Sequence, residues 1–549
     1  MRGGLRAIGS FFFVLFFVTD SFAAKATTGA GRPNILVIVV DDLRAKALGA
    51  SGHPFLKSPN IDRLANEGLI FSNAFVTHSL CSPSRATLLT GLYSHKHRVV
   101  DNNTSLDPGL PAVPKILQAA GYETGLIGKW HMGNVEAQPQ PGFDRWVSFS
   151  GQGVYTDPLL NIDGQDIQTT GHITDILTDY ALEFLGRDRQ KPFFLVLSHK
   201  ATHEPFTPQK KFQEIYANAN FTFPPTWGEN LSGKPSYLQH HLFAGDLKLR
   251  TRLYYECLAG VDESVGKVLA KLQQKNILDE TLVIFTSDNG FFLGEHNLWD
   301  KRLAYEESIR IPLLVRYPKW FAAGSNVDVF ALNLDIAPTI IEAAGLKEAF
   351  NMQGFSLRKL AYREVERNCF LYEYFVLFAY PNTPAIRAIR TRDYKYIVSL
   401  NVNETGELYN LSNDPLETRN LINDQAFSRV LQRLRFQLDS LRFATGDTSV
   451  DTAVDGQTGG NPLQFELYQN FPNPFNPATT IRYALRKTGP VRLEIFDTNG
   501  RKAATLVNAV QRSGSHTVRW NAANQPNGVY FYRLRVGSLV QTRKMILLK

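Results

Sequence analysis

Cysteine is scarce: 549 residues carry only Cys81, Cys257 and Cys369. Three thiols cannot all pair, so at least one stays free. Long apolar runs are nearly absent as well. Beyond the first 30 residues no stretch reaches the length of a membrane-crossing helix, and no stable span is expected. No repeat of solenoid period occurs, and a composition of 44% hydrophobic and 20% charged residues excludes global disorder. Most of the chain also lacks an excess of one charge. The net charge is +8, yet residues 465–549 hold 13 Lys and Arg against 3 Asp and Glu, and their +10 leaves −2 for the first 464 residues. A charge confined to one end says little about the main domain's substrate and gives no ground for a nucleic-acid partner.

What is present begins with "MRGGLRAIGSFFFVLFFVTDSFAAKA". Two arginines, an apolar stretch from Phe11 to Val18 and small residues at Ala23, Ala24 and Ala26 predict a cleavable signal peptide over 1–24, hence export. The length calls for two or three domains. "PNILVIVVDDLRAKALG", "KPFFLVLSHKATHEPF" and "DETLVIFTSDNGFF" share one form, an unbroken apolar strand followed by polar residues. Such strands fit a parallel sheet buried on both faces. Helical patterns intervene in "IDRLANEGL", in "AVPKILQAAGY" with Gly121 placed to cap it, and in "HITDILTDYALEFLG". The spacing therefore predicts a large α/β domain over 32–384, with ligands beyond the carboxyl ends of its strands.

From 385 to 444 the texture changes. "AIRAIRTRDYKYIVSL" and "GELYNL" read as antiparallel strands and "AFSRVLQRLRFQLDSLRF" as an amphipathic helix over them, a smaller subdomain completing the first. A Thr-, Gly- and Asp-rich linker follows over 445–464. Short alternating strands with Asn-Gly turns then predict a β-sandwich over 465–549.

Asp41 and Asp42 close one strand, and Asp288 and Asn289 close another. Either pair alone is better explained as a helix cap or a turn. Two pairs at equivalent strand ends favour a cation site, because three carboxylates and an amide oxygen are hard donors suited to Ca²⁺ or Mg²⁺. In "SLCSPSRATLLTGLY" Ser82 and Pro83 suit the N-cap and first position of a helix. Cys81 then stands at a helix N-terminus, a ready anion site, with Arg85 one turn in. Cys257, on helical spacing, and Cys369, in a strand-like run, read as buried small hydrophobes. In "GYETGLIGKWHMGN" Lys129 and His131 stand two apart, so an extended segment points both to one face. His203 and Lys301, in "ATHEPF" and "LWDKRLAYEE", add further cationic groups. A lone Lys or His in a loop is ordinarily solvated. Together with a hard metal, these groups suit a small tetrahedral anion and the charge that builds on its leaving oxygen.

These residues resemble the formylglycine-dependent sulfatases of the alkaline-phosphatase-like superfamily. "CSPSRATLLTG" matches that family's Cys-x-Pro-Ser-Arg-x-x-x-x-Thr-Gly signature and "GYETGLIGKWHMG" its second signature, in order between "VVDD" and "SDNG". The resemblance covers residues 32 to 440 and implies an alkaline-phosphatase-like sandwich with a mostly parallel sheet. It implies that a maturation enzyme oxidises Cys81 to formylglycine, whose hydrated aldehyde supplies the nucleophile. It makes Asp41, Asp42, Asp288, Asn289 and residue 81 the shell of a Ca²⁺ (or Mg²⁺) ion. It has Arg85 steady the hydrated aldehyde, Lys129, His203 and Lys301 bind the sulfate, and His131 assist breakdown of the sulfated intermediate.

"LGEHNLWDKRLAYEESIRIPLLVRYP" resembles the branch with N-acetylglucosamine-6-sulfatases, which implies a sulfated glycan substrate. "YQNFPNPFNPATTIRYAL" through "TRKMILLK" is similar to the sorting domains of type IX secretion, implying release or attachment at the outer cell surface. Two other readings stand beside the sulfatase: a phosphonate or phosphate monoester hydrolase of the same superfamily, and a non-catalytic glycan-binding protein.

Overall fold

The computed structural model describes residues 31–133, 137–347, 351–377, 379–400, 404–447, 465–470, 473–485, 487–537 and 539–548. The expected signal peptide lies outside them, as does nearly all of the expected linker. The apolar runs form strands, as their patterning predicts. In chain order these are β1 Asn34–Val40, β2 Leu69–Phe75, β3 Glu123–Gly128, β4 Arg145–Ser148, β5 Leu159–Ile162, β6 Gln165–Gln168, β7 Phe193–Ser198 and β8 Thr281–Ser287. Then come β9 Phe292–Leu293, β10 Trp299–Asp300, β11 Leu313–Arg316 and β12 Ser325–Leu332.

Ten of these make one sheet in the order β12-β2-β11-β8-β1-β7-β3-β4-β5-β6, while β9 and β10 pair apart. The run β8-β1-β7-β3-β4 is parallel throughout. Strand β1 shows why its sequence has no polar alternation. Ile35, Val37 and Val39 pack into the core on one face, and Leu36, Ile38 and Val40 into the core on the other. The helices Pro59–Glu67, Ile173–Gly186 and Leu247–Gln274 cover the second face. Because β1, β7 and β8 are neighbours running in the same direction, their carboxyl ends coincide, and the polar residues after each meet in one place.

The antiparallel subdomain is β13 Cys369–Tyr374, β14 Ala385–Thr391, β15 Tyr394–Leu400 and β16 Glu407–Asn410, with the helix Ser428–Thr445 against it. It begins before residue 385, where the change in sequence texture put its start. Strand β13 pairs with β14 from Cys369↔Thr391 to Tyr374↔Ile386, and its burial makes it read like a strand of the main sheet. This subdomain grips the segment after β10. Lys395 pairs with Glu306 at 3.0 Å and Glu417 at 2.6 Å, and Tyr372 Oη donates to the Arg302 carbonyl at 2.5 Å. It is closed off by Arg387, whose Nε donates to the buried Asp447 carboxylate at 2.7 Å.

The end domain packs a three-stranded sheet (Glu466–Leu467, Ala478–Leu485, Gly514–Asn521) and a four-stranded one (Lys502–Gln511, Gly489–Asp497, Gly528–Val536, Leu539–Leu547) around its own core.

One glycine decides how close the central strands come. Gly128 ends β3 at φ +114°, and a Cβ there would lie 1.8 Å from the Ser198 carbonyl oxygen. That same oxygen accepts from the Lys129 N–H at 2.8 Å. Gly128→Ala therefore combines left-handed strain with a backbone clash. It should lower stability by about 2 kcal/mol or more, read by denaturant unfolding against the wild type.

Candidate active site

The strand ends deliver Asp41 and Asp42 from β1 and Asp288 and Asn289 from β8, all buried. Asp42 takes a left-handed backbone (φ 62°), which turns its N–H onto Asp288 Oδ1 at 3.0 Å. One oxygen each of Asp41, Asp42 and Asp288 lies within 4.8 Å of the others. Three carboxylates so close require three neutralising groups, and each has its own cation. Arg85 grips Asp288 Oδ2 through Nε at 2.9 Å and through its second nitrogen at 2.7 Å. Lys129 pairs with Asp41, and Lys301 with Asp42.

Electrostatics separates the three acids. Burial raises the Asp41 carboxyl, but Lys129, then His203, Arg85 and Lys301 outweigh it and hold it well below the usual range. Burial lifts Asp42 to about 7 against the pull of Lys301. Asp288 is raised by burial and by Asp41, with Arg85 opposing.

Cys81 begins the helix Cys81–Thr90, so it stands at a helix N-terminus as expected, but by a different cap. The N-cap is Leu80, not Ser82, and Pro83 lies two residues inside the helix rather than at its first position. The Ser82 hydroxyl is spent elsewhere, donating to the His131 carbonyl at 2.6 Å, and the Ser82 N–H is taken by Asn102 Oδ1 at 3.1 Å. The Cys81 sulfur lies 3.6 Å from Asp41 Oδ1 and 3.3 Å from Lys301 Nζ. Burial pushes the thiol up to about 12 despite Lys129 and Lys301. Thiolate nucleophiles depend on the opposite shift, so at neutral pH this sulfur stays a protonated thiol.

His203 donates from Nδ1 to the Glu204 carbonyl at 2.6 Å, which leaves Nε2 facing the acids, 3.8 Å from Asp42 Oδ2. His131 is buried with Nδ1 unpartnered. Burial first, then Lys301 for His203 and Lys129 for His131, holds both rings well below the usual imidazole range and therefore neutral. All ten residues picked out by the sequence thus meet in one place. Cys257 and Cys369 lie on the helix Leu247–Gln274 and on β13.

Sequence reasoning missed three others. Asn102 fixes the start of the helix. Gln152 accepts from Lys129 Nζ at 2.5 Å. Lys200 is buried beside the acids, its Nζ over the Tyr155 ring at 4.7 Å and without a hydrogen-bond partner. Single loop residues of these types carry no periodic signal. Only the charge of the neighbouring strand ends could have drawn attention to Lys200.

The donor set fits a hard divalent cation. Asp42 Oδ2 and Asn289 Oδ1 are buried acceptors with no partner, an arrangement that proteins otherwise avoid. With the oxygens of Asp41 and Asp288 they offer the all-oxygen set that Ca²⁺ or Mg²⁺ takes.

Fold and site together fit a hydrolase of an anionic ester with acidic groups able to hold a metal ion, and the comparisons are narrower. Residues 33–346 match the sulfatase family, residues 294–444 the family described as N-sulphoglucosamine sulphohydrolase, C-terminal, and residues 469–548 the secretion system C-terminal sorting domain. The chain is similar to an N-acetylglucosamine-6-O-sulfatase of Bacteroides thetaiotaomicron, 32% identical over 76% of this chain and 88% of that one. A solved structure described as a complex with its substrate D-glucosamine-2-N,6-O-disulfate superposes with a TM-score of 0.73 at 31% identity, covering 77% of this chain and 99% of the other. A phosphonate monoester hydrolase of Agrobacterium radiobacter shares the fold, with a TM-score of 0.63 at 24% identity over 75% of this chain and 96% of the other.

The chain belongs to the sulfatase family. It is a sulfuric ester hydrolase, and its sorting domain points to export or the cell surface. Among the described residues no helix is long and apolar enough to cross a membrane.

Lys200 gives a pH test. Burial, with Lys129 adding to it, lowers its pKa to about 8, below the unfolded value of about 10.4. A folded pKa below the unfolded one means that the charge costs stability at neutral pH. That cost fades as pH rises from about 8 to about 10. Lys200→Met keeps the stem and removes the charge. It should gain on the order of 1–3 kcal/mol near pH 7 and almost nothing near pH 10, as read by denaturant unfolding at both.

Proposed function

We propose that this protein is a secreted glycan sulfatase that removes the 6-O-sulfate of N-acetylglucosamine or a closely related sulfated sugar. It would act with Ca²⁺ (or Mg²⁺) and with residue 81 matured to formylglycine by a separate enzyme. The observation that carries the reading is the placement of Cys81. Its sulfur sits at a helix N-terminus between Asp41 and Lys301 and groups with Asp41 and His203, while Asp41 in turn groups with Asp42 and Asp288. A thiol held protonated there is a poor nucleophile, so the position makes chemical sense as a precursor.

Asp41, Asp42, Asp288, Asn289 and residue 81 would hold the ion, with the buried acceptors Asp42 Oδ2 and Asn289 Oδ1 turned to it. When present, the ion supplies Lewis-acid polarisation of an ester oxygen, and the matured residue 81 supplies a hydroxyl nucleophile.

The chain's own side chains do the rest. An ammonium has three donors. Lys301 spends one on Asp42 and lies against residue 81, and Lys129 spends one on Asp41 and one on Gln152. Each keeps a donor for a sulfate oxygen. His203 presents Nε2 to the same space. Kept neutral by burial, it can take part in proton transfer at the leaving oxygen. His131, also neutral and with a free Nδ1, is the second group able to move a proton beside residue 81. Arg85 holds Asp288 and closes the floor through its contact with the Lys129 carbonyl at 2.8 Å. The ordered strand ends keep these donors fixed, so little reorganisation is needed as charge develops.

The signal peptide would start export and the type IX machinery complete it.

Mass spectrometry of the peptide containing residue 81, from protein made with a maturation enzyme, should find formylglycine. Unmodified cysteine in an active preparation would sink the mechanism. Matched aryl sulfate and aryl phosphate should favour the sulfate; a large phosphate preference would move the chain to the phosphonate and phosphate ester hydrolases. Among sulfated sugars, the 6-sulfate of N-acetylglucosamine should be released. Ca²⁺ at about a hundredfold its Kd should stabilise the folded chain by about 2.7 kcal/mol, seen as a raised melting temperature. Asp42→Ala should abolish that shift.

A further inference from the structure

Gln152 lies on the loop between β4 and β5, half-buried at the rim of the site. Its Oε1 accepts from Lys129 Nζ at 2.5 Å. An ammonium can only donate, so the carboxamide has one allowed orientation: oxygen towards Lys129, NH₂ away from it. Among the described residues Nε2 has no hydrogen-bond partner. Two donors are therefore aimed out of the lysine contact with no described residue to receive them.

The loop that carries Gln152 is itself anchored to the site. Three residues on, the buried Tyr155 donates from its hydroxyl to the His203 carbonyl at 2.8 Å, and its ring lies beneath Lys200. One short loop thus touches Lys129 through Gln152 and His203 through Tyr155.

We propose that Gln152 contacts the substrate: its NH₂ donates to an oxygen of the sulfate group that Lys129 receives, while its Oε1 holds Lys129 in place. The inference rests on the sulfate-cradle reading above. The nitrogen and oxygen of one carboxamide are a single bond angle apart, so an oxyanion touching Lys129 comes within reach of the NH₂. Charge explains why an amide stands here. Arg85, Lys129 and Lys301 already match Asp41, Asp42 and Asp288 one for one, and Lys200 adds a fourth cation beside them. A neutral donor adds a hydrogen bond to the sulfate without a further positive charge that would retain the product.

The test compares matured wild type with Gln152→Ala and Gln152→Glu in kcat, KM for a sulfate ester, inhibition by inorganic sulfate, and melting temperature. Gln152→Ala should raise KM and the sulfate inhibition constant together by about 10- to 100-fold, with kcat within a few fold and the melting temperature unchanged. Gln152→Glu keeps an acceptor on Lys129 but replaces the donor with a negative charge, so its KM should rise further. A glutamate variant at wild-type KM would show that holding Lys129 is the whole role, and an alanine variant at wild-type KM would show no role; either overturns the proposal. Calorimetric binding of inorganic sulfate to the three proteins reads Gln152 without turnover. A wild type inert towards sulfate esters would therefore count against the functional reading, whereas equal sulfate affinity in all three counts against Gln152 alone.

Discussion

Three carboxylates are forced together where β1 and β8 end side by side, and buried charge of one sign has to be answered locally. The pairing of Asp41, Asp42 and Asp288 with Lys129, Lys301 and Arg85 is that answer, and much of the architecture serves to bring the three cations in. Each comes from a different part of the chain: Arg85 from the first turns of a helix, Lys129 from the end of β3, Lys301 from the segment after β10. Removing one partner of such a pair leaves an uncompensated buried charge, a penalty of about 3–5 kcal/mol. Folding stability and assembly of the site are therefore one problem, and the site can be no looser than the core around it.

The same balance explains how the site can handle an anion. With Asp41, Asp42 and Asp288 each matched by a cation and Lys200 buried beside them, an entering anion would meet no net negative charge from these residues. The lysines are able to serve both sides, since an ammonium with three donors can remain on its carboxylate and still offer a hydrogen to an oxyanion. His131 and His203, held neutral by burial, add no charge of their own.

The parts of this that were legible in the sequence share one property: they are local patterns at strand ends. Unbroken apolar runs gave away a parallel sheet, and acids directly after two of them gave away a cluster of carboxylates, because neighbouring parallel strands end at one level. The cap of the helix at Cys81 was misread, since Ser82 is a good N-cap in isolation and only the fold reveals that His131 claims its hydroxyl. The start of the antiparallel subdomain was placed too late because β13, buried from Phe370 to Tyr374, resembles a strand of the main sheet. Gln152, Asn102 and Lys200 stayed invisible. Their roles are set by contacts across long sequence separations, and a single amide or lysine in a loop leaves no periodic trace.

The grip of β13–β16 on the segment that carries Lys301 has a consequence for how the chain can be divided. Lys395, Glu417 and Tyr372 fix Arg302 and Glu306, just after Lys301, and Arg387 with Asp447 seals the far end of that subdomain. The antiparallel sheet thus helps to hold the segment that carries Lys301 from outside the cluster of acids. A cut anywhere before Asp447 would free one jaw of a clamp. The β-sandwich beyond, with a core of its own, is where evolution is at liberty to exchange one delivery address for another.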